Sequence, residues 1–542
     1  MRTRHAPRNR RRILCVSPRY APSFGTFHYA YPLFGGRIRA FMPPQGLLVI
    51  AAYLPERWEV RFVDENAQPA SEEDLRWADA VFLSGMHVQR GFIEELIARA
   101  HRLGRPVVLG GPSVSGCPEH YPDADLIQVG EMGDSTDAII AWLDEHVGRP
   151  ARQLRFDTGT RLPLTDFPLP AYHLISLRQY FISSVQFSSG CPYSCEFCDI
   201  PALYGSNPRL KTAAQVLAEL DALVAGGAVA VYFVDDNFIA NPKAALELLP
   251  HLVAWQRRRR FPVRFACEAT LNIAKSDRGL ALMREAGFNV VFCGIETPEP
   301  DALRSMSKEQ NLRMPILEAV RKLNDHGLEV VSGIILGLDT DTEATADHLV
   351  EFIEASRIPM LTINILYALP RTPLWERLAA EGRLHPDGGR ESNVVFRLPE
   401  PTVLAMWRRA IAAAYAPEAI YRRFAHNLAH TFARRPRYPR SPHRASWRNV
   451  VSGLAVLGRI VWRIGLLGDY RRTFWRVALP ALRAGRVEEM IQAAVVSHHL
   501  IEFTRQCLRG AQEASFYAPR RPLPPTALPG PPRILAREHV SR

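Results

Sequence analysis

A chain of 542 residues that is 47% hydrophobic and 23% charged has the make-up of a globular protein of roughly three to four domains, which excludes a disordered or fibrous one. Eight cysteines over this length are too sparse for a secreted disulfide framework and point to a reducing cytoplasm. The net charge of +12 is uneven: residues 401–542 hold 24 Arg, no Lys and 7 acidic residues, a local net of +17 against −5 for residues 1–400, which points to a polyanionic partner, nucleic acid or an anionic membrane.

Residues 1–11 form a basic tail that runs straight into ILCVSP, too short for the apolar region of a signal peptide and without a cleavage signature. No uncharged apolar run reaches the ~18 residues needed to cross a bilayer. From 12 to 145 short apolar runs alternate with helical stretches. RILCVSP, VRFVDEN, AVFLSGM, PVVLGGP and LIQVGEM read as five strands, and QGLLVIAAYLPE and GFIEELIARAHRLG as two of the intervening helices. Continuous apolar strands joined by helices predict a Rossmann-like parallel sheet covered on both faces. Gly85, Gly110, Gly111, Gly130 and Gly133 crowd the carboxyl ends of these strands, where an open α/β sheet binds ligands, though tight turns need glycine there too. The GxGxxG fingerprint is absent, which argues against a nicotinamide cofactor.

Residues 146–180 are polar and proline-punctuated (RLPLTDFPLPAYHL) and read as an extended linker. Between 181 and 385 six apolar runs recur, SVQFSS, VAVYFV, VRFACE, NVVFCGI, EVVSGII and LTINIL, separated by helical patterns such as TAAQVLAELDALVAGG. Thr212 and Gln215 have the spacing of a capping box. Six strand–helix units in series predict a partial (β/α)6 barrel, open at the side, with its chemistry at the carboxyl ends of the strands. Residues 386–510 read as a helical, arginine-rich domain, and the proline-rich residues 511–542 as a disordered tail.

The chemistry lies in SSGCPYSCEFCDIP, where Cys191, Cys195 and Cys198 follow the spacing C-x3-C-x2-C directly after the first barrel strand. A zinc site would want a fourth ligand, and no paired C-x2-C or H-x3-H stands nearby. A disulfide would leave an odd thiol. An iron–sulfur cluster held by three thiolates keeps one iron open, as a catalytic metal site does.

This motif after the first strand of a six-unit barrel resembles the radical S-adenosylmethionine superfamily. The resemblance implies a 4Fe-4S cluster on Cys191, Cys195 and Cys198, whose open iron chelates S-adenosylmethionine and whose electron generates a 5′-deoxyadenosyl radical. It also implies that S-adenosylmethionine is cradled by Phe197, by Asp235 and Asp236 of VDDNF, by Glu268 of CEAT, by Glu296 of GIET, and by Gly333 and Gly337 of SGIILG. On the residues alone, each carboxylate reads equally well as a barrel-mouth acceptor for backbone donors.

The N-terminal domain resembles the cobalamin-binding domain of one large subclass, and the contacts it implies are Ser84, Gly85, Gly110, Gly111, Gly130 and Glu131. The familiar D-x-H-x-x-G motif is broken: Asp64 fits, but Asn66 replaces the histidine and Pro69 the glycine, which leaves the lower face of cobalt without a protein histidine. His87 is a candidate substitute, or a loop histidine. FGTFHYAYPL, RAFMPPQGLLVIAAYLPE, CDIPALYGSNPRLKT and SGIILGLDTDT further resemble the bacterial hopanoid C-2 methylase family from about residue 12 to 510. That resemblance implies methylation of carbon 2 of the hopanoid A ring by way of methylcobalamin, a reducing donor such as flavodoxin or ferredoxin, and no nucleic-acid partner. Alternatives are a radical methylase for another hopanoid carbon or another lipid, a cyclase, an RNA-modifying methylthiotransferase, or a non-enzymatic sensor.

VVSGLAVLGRIVWRIGLLG, residues 450–468, is apolar apart from Arg459 and Arg463. At 100° per residue Arg448, Ser452, Arg459 and Arg463 fall on one narrow stripe. Either a core helix with one solvated face or a helix lying in a membrane interface fits that pattern. With the local charge it gives the expectation of a cytoplasmic protein held peripherally at an anionic membrane surface.

Overall fold

The computed structural model describes residues 10–385, 391–436, 438 and 441–511. The basic tail and the proline-rich tail therefore lie outside the described residues, apart from Arg10, Arg11 and Ala511.

The first sheet is wholly parallel and runs β2 (Glu59–Asp64), β1 (Arg12–Ser17), β3 (Ala80–Ser84), β4 (Val107–Gly110), β5 (Leu126–Val129), β6 (Leu154–Asp157). Side chains alternate across a strand, so Leu14 and Val16 enter one core with Ile93 and Ile97, while Ile13 and Cys15 enter the other with Leu47 and Trp58. The five expected strands and both quoted helices are present, the helices as Gln45–Tyr53 and Arg90–Arg102. The expected linker differs: its first half supplies β6, paired to β5 from Leu126↔Leu154 to Val129↔Asp157. This strand is short and lies at the sheet edge, half-exposed on alternate residues, so it lacks the continuous apolar run that marks the inner strands.

The second sheet is also parallel and its order follows the chain: β7 (Ser183–Val185), β10 (Ala230–Phe233), β11 (Arg264–Glu268), β12 (Phe288–Glu296), β13 (Glu329–Leu336), β14 (Met360–Ile365). This is the predicted six-stranded partial barrel. Its floor is a cluster of Phe233, Phe265 and Phe288, with ring centres 5.2–5.6 Å apart. A two-residue antiparallel pair, β8 (Ser188–Ser189) and β9 (Arg209–Leu210), sits at the mouth. Thr212 and Gln215 do cap the helix Ala213–Ala225.

The C-terminal part is helical. Trp407 ties the helix Glu400–Ala414 to the barrel by donating to the Ile363 carbonyl at 2.8 Å. The long helix Val487–Leu508 instead receives the segment that leaves β1. There His499 Nε2 donates to the Ser23 carbonyl at 2.9 Å, Tyr29 N donates to its Nδ1 at 3.4 Å, and Phe24 stands edge-on to Phe503. Burial pushes His499 down to about 3, so the ring is neutral and can serve as donor and acceptor at once. The helical region thus grips both sheets.

Candidate functional site

The three cysteines occupy the loop that leaves β8. Gly190 opens this loop with φ +96°, and a side chain there would stand 2.7 Å from the Gly205 carbonyl oxygen. Glycine is thus required on both steric counts. Cys191 N donates to that same carbonyl at 3.2 Å, and Gly190 N donates to Asp236 Oδ2 at 2.8 Å. Further along, Tyr193 accepts from Asn272 at 2.9 Å. Glu196 anchors the far end: Arg377 bridges it at 2.5 Å to Asp339 at 2.8 Å, and its backbone bonds Met306 and Leu374. The loop is therefore held from three sides before any metal binds.

Cys195 is buried, and Cys191 and Cys198 are half-buried. Burial raises the Cys191 and Cys198 thiols, and the charges of the neighbouring cysteines raise them further. Gln310 Nε2 reaches Cys195 Sγ at 3.3 Å. Among the described residues no group of three His, Cys, Asp or Glu converges on one ion.

Around this loop lies a set of buried acceptors. Asp235 Oδ1 accepts from the backbone N–H groups of Phe187, at 3.1 Å, and Ser188. Tyr232 donates to Glu268 at 3.4 Å. Burial pushes Asp235 up to about 7, Asp236 up to about 6 and Glu268 up to about 7; Asp236 adds repulsion to Asp235 and Glu268, and Glu131 and Asp199 add it to Asp236. Asp235 Oδ2 and Asn311 Oδ1 are buried without a hydrogen-bond partner. An orphaned buried acceptor costs about 1–3 kcal/mol, so this donor-hungry wall fits a ligand that brings ammonium and hydroxyl groups, as S-adenosylmethionine does.

A carboxyl group raised in the fold favours its protonated form, so its contribution to stability is present near pH 4 and is lost as pH rises through about 7. Glu268→Gln mimics the protonated acid and keeps the acceptor for Tyr232. It is expected to match the parent protein's stability at pH 5 and to exceed it at pH 8, by on the order of 2 kcal/mol, in thermal melts without cofactors. Equal melting curves at pH 8 would show that ionising Glu268 in the fold costs no stability.

On β12, Glu296 sits at φ +67° and pairs with Lys308. A side chain at Gly294 would meet Glu296 Oε1 at 2.3 Å and Lys308 Nζ at 2.8 Å, so the pair fits only over glycine. Lys308 Nζ also lies 5.3 Å from the centre of the Phe197 ring. Gly333 faces this pair, with Glu296 Oε2 3.6 Å from a built Cβ. Gly337 stands apart: Phe396 packs where its side chain would be, and its N–H donates to Asp341 at 2.7 Å. The structure therefore gathers Phe197, Glu296 and Gly333 around Lys308, a residue that the motif reading did not single out.

The first sheet presents its carboxyl edge to the same region. A side chain at Gly111 (φ +95°) would meet Ser84 Oγ at 2.5 Å, so Ser84, Gly85 and Gly111 pack on one another, while Gly110 has open space with only Gln128 Cβ near, at 3.9 Å. That cradle of bare backbone fits a large flat cofactor such as cobalamin. Gly130 packs against Thr158 of the loop after β6. Glu131 binds Arg209 at 2.5 Å and Arg161 at 3.1 Å and accepts from Ser189 Oγ at 3.3 Å. It is thus the clamp that joins the carboxyl edge of the first sheet to the cysteine loop of the second. Asn66 bonds Asp64, Pro18 and Tyr20, and so ties two loops together. His87 lies 5.5 Å ring-to-ring from His120 and 5.9 Å from Tyr367.

Comparisons with known proteins agree with this division of the chain. Residues 33–140 match the B12 binding domain, residues 185–353 the Radical SAM superfamily, and residues 372–513 a domain of unknown function, DUF4070. The chain is 56% identical over 511 residues to the hopanoid C-2 methylase of Rhodopseudomonas palustris (strain TIE-1), covering 94% of this chain and 97% of that one. It is 33% identical to an uncharacterized methyltransferase of Synechocystis sp., covering 91% and 92%. Among solved structures it resembles the radical S-adenosylmethionine methyltransferase TsrM of Kitasatospora setae, solved with cobalamin and a [4Fe-4S] cluster, at 16% identity and a TM-score of 0.57 over 90% of this chain and 99% of that one. It likewise resembles the cobalamin-dependent radical enzyme OxsB, at 13% identity and a TM-score of 0.57 over 92% and 80%.

Proposed function

Because the chain belongs to the hopanoid C-2 methylase family of cobalamin-dependent radical S-adenosylmethionine methyltransferases, we propose that it transfers a methyl group to carbon 2 of the A ring of a hopanoid. Carbon 2 of a saturated ring has neither an acidic proton nor a lone pair, so no side-chain acid or base can activate it. When bound, the 4Fe-4S cluster and S-adenosylmethionine supply a carbon radical able to take hydrogen from such a carbon, and cobalamin supplies the methyl group. Cys191, Cys195 and Cys198 would hold the cluster. Asp235, Asp236, Glu268 and Glu296 would receive the polar groups of S-adenosylmethionine, and the backbone from Ser84 to Gly85 and from Gly110 to Gly111 would receive cobalamin.

The protein's own contribution is placement. Glu131, with Arg209 and Arg161, holds the two carboxyl edges against each other. This clamp is the observation that best supports methyl transfer between two cofactors, because the two cradles must share one chamber for a substrate to reach both. The close identity to the hopanoid C-2 methylase supports the lipid substrate. The chemistry also calls for a one-electron reductant such as flavodoxin or ferredoxin. An RNA-modifying reading has less support: the first domain offers only Cys15, sealed inside β1, and Cys117, where a second cluster would need three thiolates.

The test is isotopic. With S-adenosylmethionine bearing a fully deuterated methyl, the hopanoid product is expected to carry all three deuteriums at a new C-2 methyl group. A methyl group carried by a cysteine and passed on as a methylene would keep two. Cys267 and Cys293 are the candidates for that route, yet both are wholly buried within β11 and β12, and burial pushes the Cys293 thiol up to about 12 and Cys267 well above its usual range. A product with two deuteriums would overturn the cobalamin route, and methylation at another carbon would overturn the C-2 assignment.

A further inference from the structure

The helix Trp447–Ile460, extended by a π-helical turn Val461–Leu466, carries its apolar face outward. Trp447 is 78% exposed, Leu454 62%, Trp462 59% and Leu467 66%, and Val451 and Leu466 are exposed between them. The first four positions, 447, 451, 454 and 462, follow helical spacing along one side. The opposite side, Val456, Ile460 and Ile464, is buried in the same core as the barrel strands. The sequence left open a core helix with a solvated basic face; the structure instead exposes the apolar face.

Arginines border it. Arg448 and Arg463 flank the face, and Arg471, Arg472 and Arg476 are exposed on the next helix, Arg471–Arg483. None of these five has an acidic partner among the described residues. Between Trp447 and Val487 the chain has eight Arg and one acidic residue, Asp469, which Arg505 occupies at 2.6 Å.

We propose that this face is a monotopic membrane-binding surface for an anionic bilayer, with Trp447, Leu454, Trp462 and Leu467 in the acyl boundary and the arginines on lipid phosphates. The 20-residue helix Trp447–Leu466 is long and apolar enough to span a membrane. It does not do so here, because Val456, Ile460 and Ile464 seat its second half in the protein core, so it lies in the interface plane. A second copy of the chain fits poorly, since self-pairing would bring the arginine borders together. An apolar centre with a basic rim matches a bilayer of acyl chains under phosphate headgroups.

The same helix abuts the segment that leaves the carboxyl end of β1: Arg459 packs over Gly35, just after the 3-10 turn His28–Phe34. Membrane contact would therefore set the open edge of the first sheet beside the lipid, which gives a hopanoid a route from bilayer to chamber. That last step rests on the lipid-substrate reading; the membrane contact does not.

The test is co-sedimentation of the full-length protein with vesicles of phosphatidylglycerol and phosphatidylcholine, and with phosphatidylcholine alone. Binding is expected to the anionic vesicles and to fall as salt rises, because headgroup attraction is screened. Leu454→Glu combined with Trp462→Glu is expected to weaken it by roughly tenfold or more, since charge at two interfacial positions costs well over 1 kcal/mol. Both residues are exposed, and unchanged melting and unchanged iron–sulfur absorbance after reconstitution verify that the variant is folded. Undiminished vesicle binding by the variant would overturn the proposal. So would a full-length dimer that ignores vesicles and is split by the same substitutions, which would give the face to a second copy. Intact vesicle binding without hopanoid methylation would sink the substrate reading alone.

Discussion

Replacing Cys198 by alanine is expected to abolish methyl transfer and to remove most of the iron–sulfur absorbance from reconstituted protein, while cobalamin still binds the N-terminal domain. The separation follows from the architecture. Cys198 lies in a loop held by Asp236, Asn272 and Arg377, all on the barrel, whereas the glycine cradle lies on the other sheet and has its own two cores. Its N–H bonds the Cys195 carbonyl at 3.1 Å, so the substitution removes a thiol without loosening the turn. Two thiolates leave a second iron uncoordinated, and a cubane cluster so held is labile. Cys198→Ser, which keeps the size of the side chain, should lose the cluster almost as completely, because a neutral hydroxyl does not replace a thiolate. Full cluster loading in either variant, measured by iron content and absorbance, would remove Cys198 from the ligand set.

The cysteine motif and the strand ends were legible because both are local: three thiols in eight positions, and apolar runs ended by glycine or carboxylate. What escaped was made by distant residues. Glu131 meets Arg209 across 78 positions, and Glu196 meets Arg377 across 181, and no periodicity marks either pair in advance. The resemblance implied a place for Glu131 at cobalamin; its ion pairs with Arg209 and Arg161 come from the tertiary fold. The edge strand Leu154–Asp157 escaped for another reason. Only Leu154 and Phe156 alternate with Arg155 and Asp157, and four residues of alternation do not stand out from a polar linker. The helix after Trp447 shows the limit most sharply. Its stripe of arginines was visible, but whether the apolar side met core or solvent depended on Val456 and Ile460 finding the barrel core, a tertiary fact.

Lys308→Met is expected to be among the most destabilising single substitutions at the site. Lys308 is 6% exposed and Glu296 8%, and they pair beside the cluster loop. Burial pulls the lysine pKa down, but Glu296 more than offsets it and holds it above the usual lysine value, with Cys195 and Cys198 adding to the effect. Methionine removes the ammonium and leaves a carboxylate buried at φ +67° over Gly294, a point it cannot leave for solvent. Breaking a buried pair in this way costs about 3–5 kcal/mol. Removing both charges costs far less, so Lys308→Met combined with Glu296→Gln should recover most of the lost stability in denaturant melts. Activity should not recover with it. The double variant still lacks the carboxylate proposed to receive S-adenosylmethionine, and it lacks a cation near Cys195 and Cys198. Loss of a positive charge beside an anionic cluster lowers its reduction potential. A redox titration of the reconstituted double variant should therefore give a more negative midpoint than reconstituted Glu296→Gln, from which it differs only in the Lys308 charge, a change that a purely structural role for Lys308 would not produce. A double variant with normal stability, normal midpoint and normal methylation would show that the pair serves neither the cluster nor the cofactor.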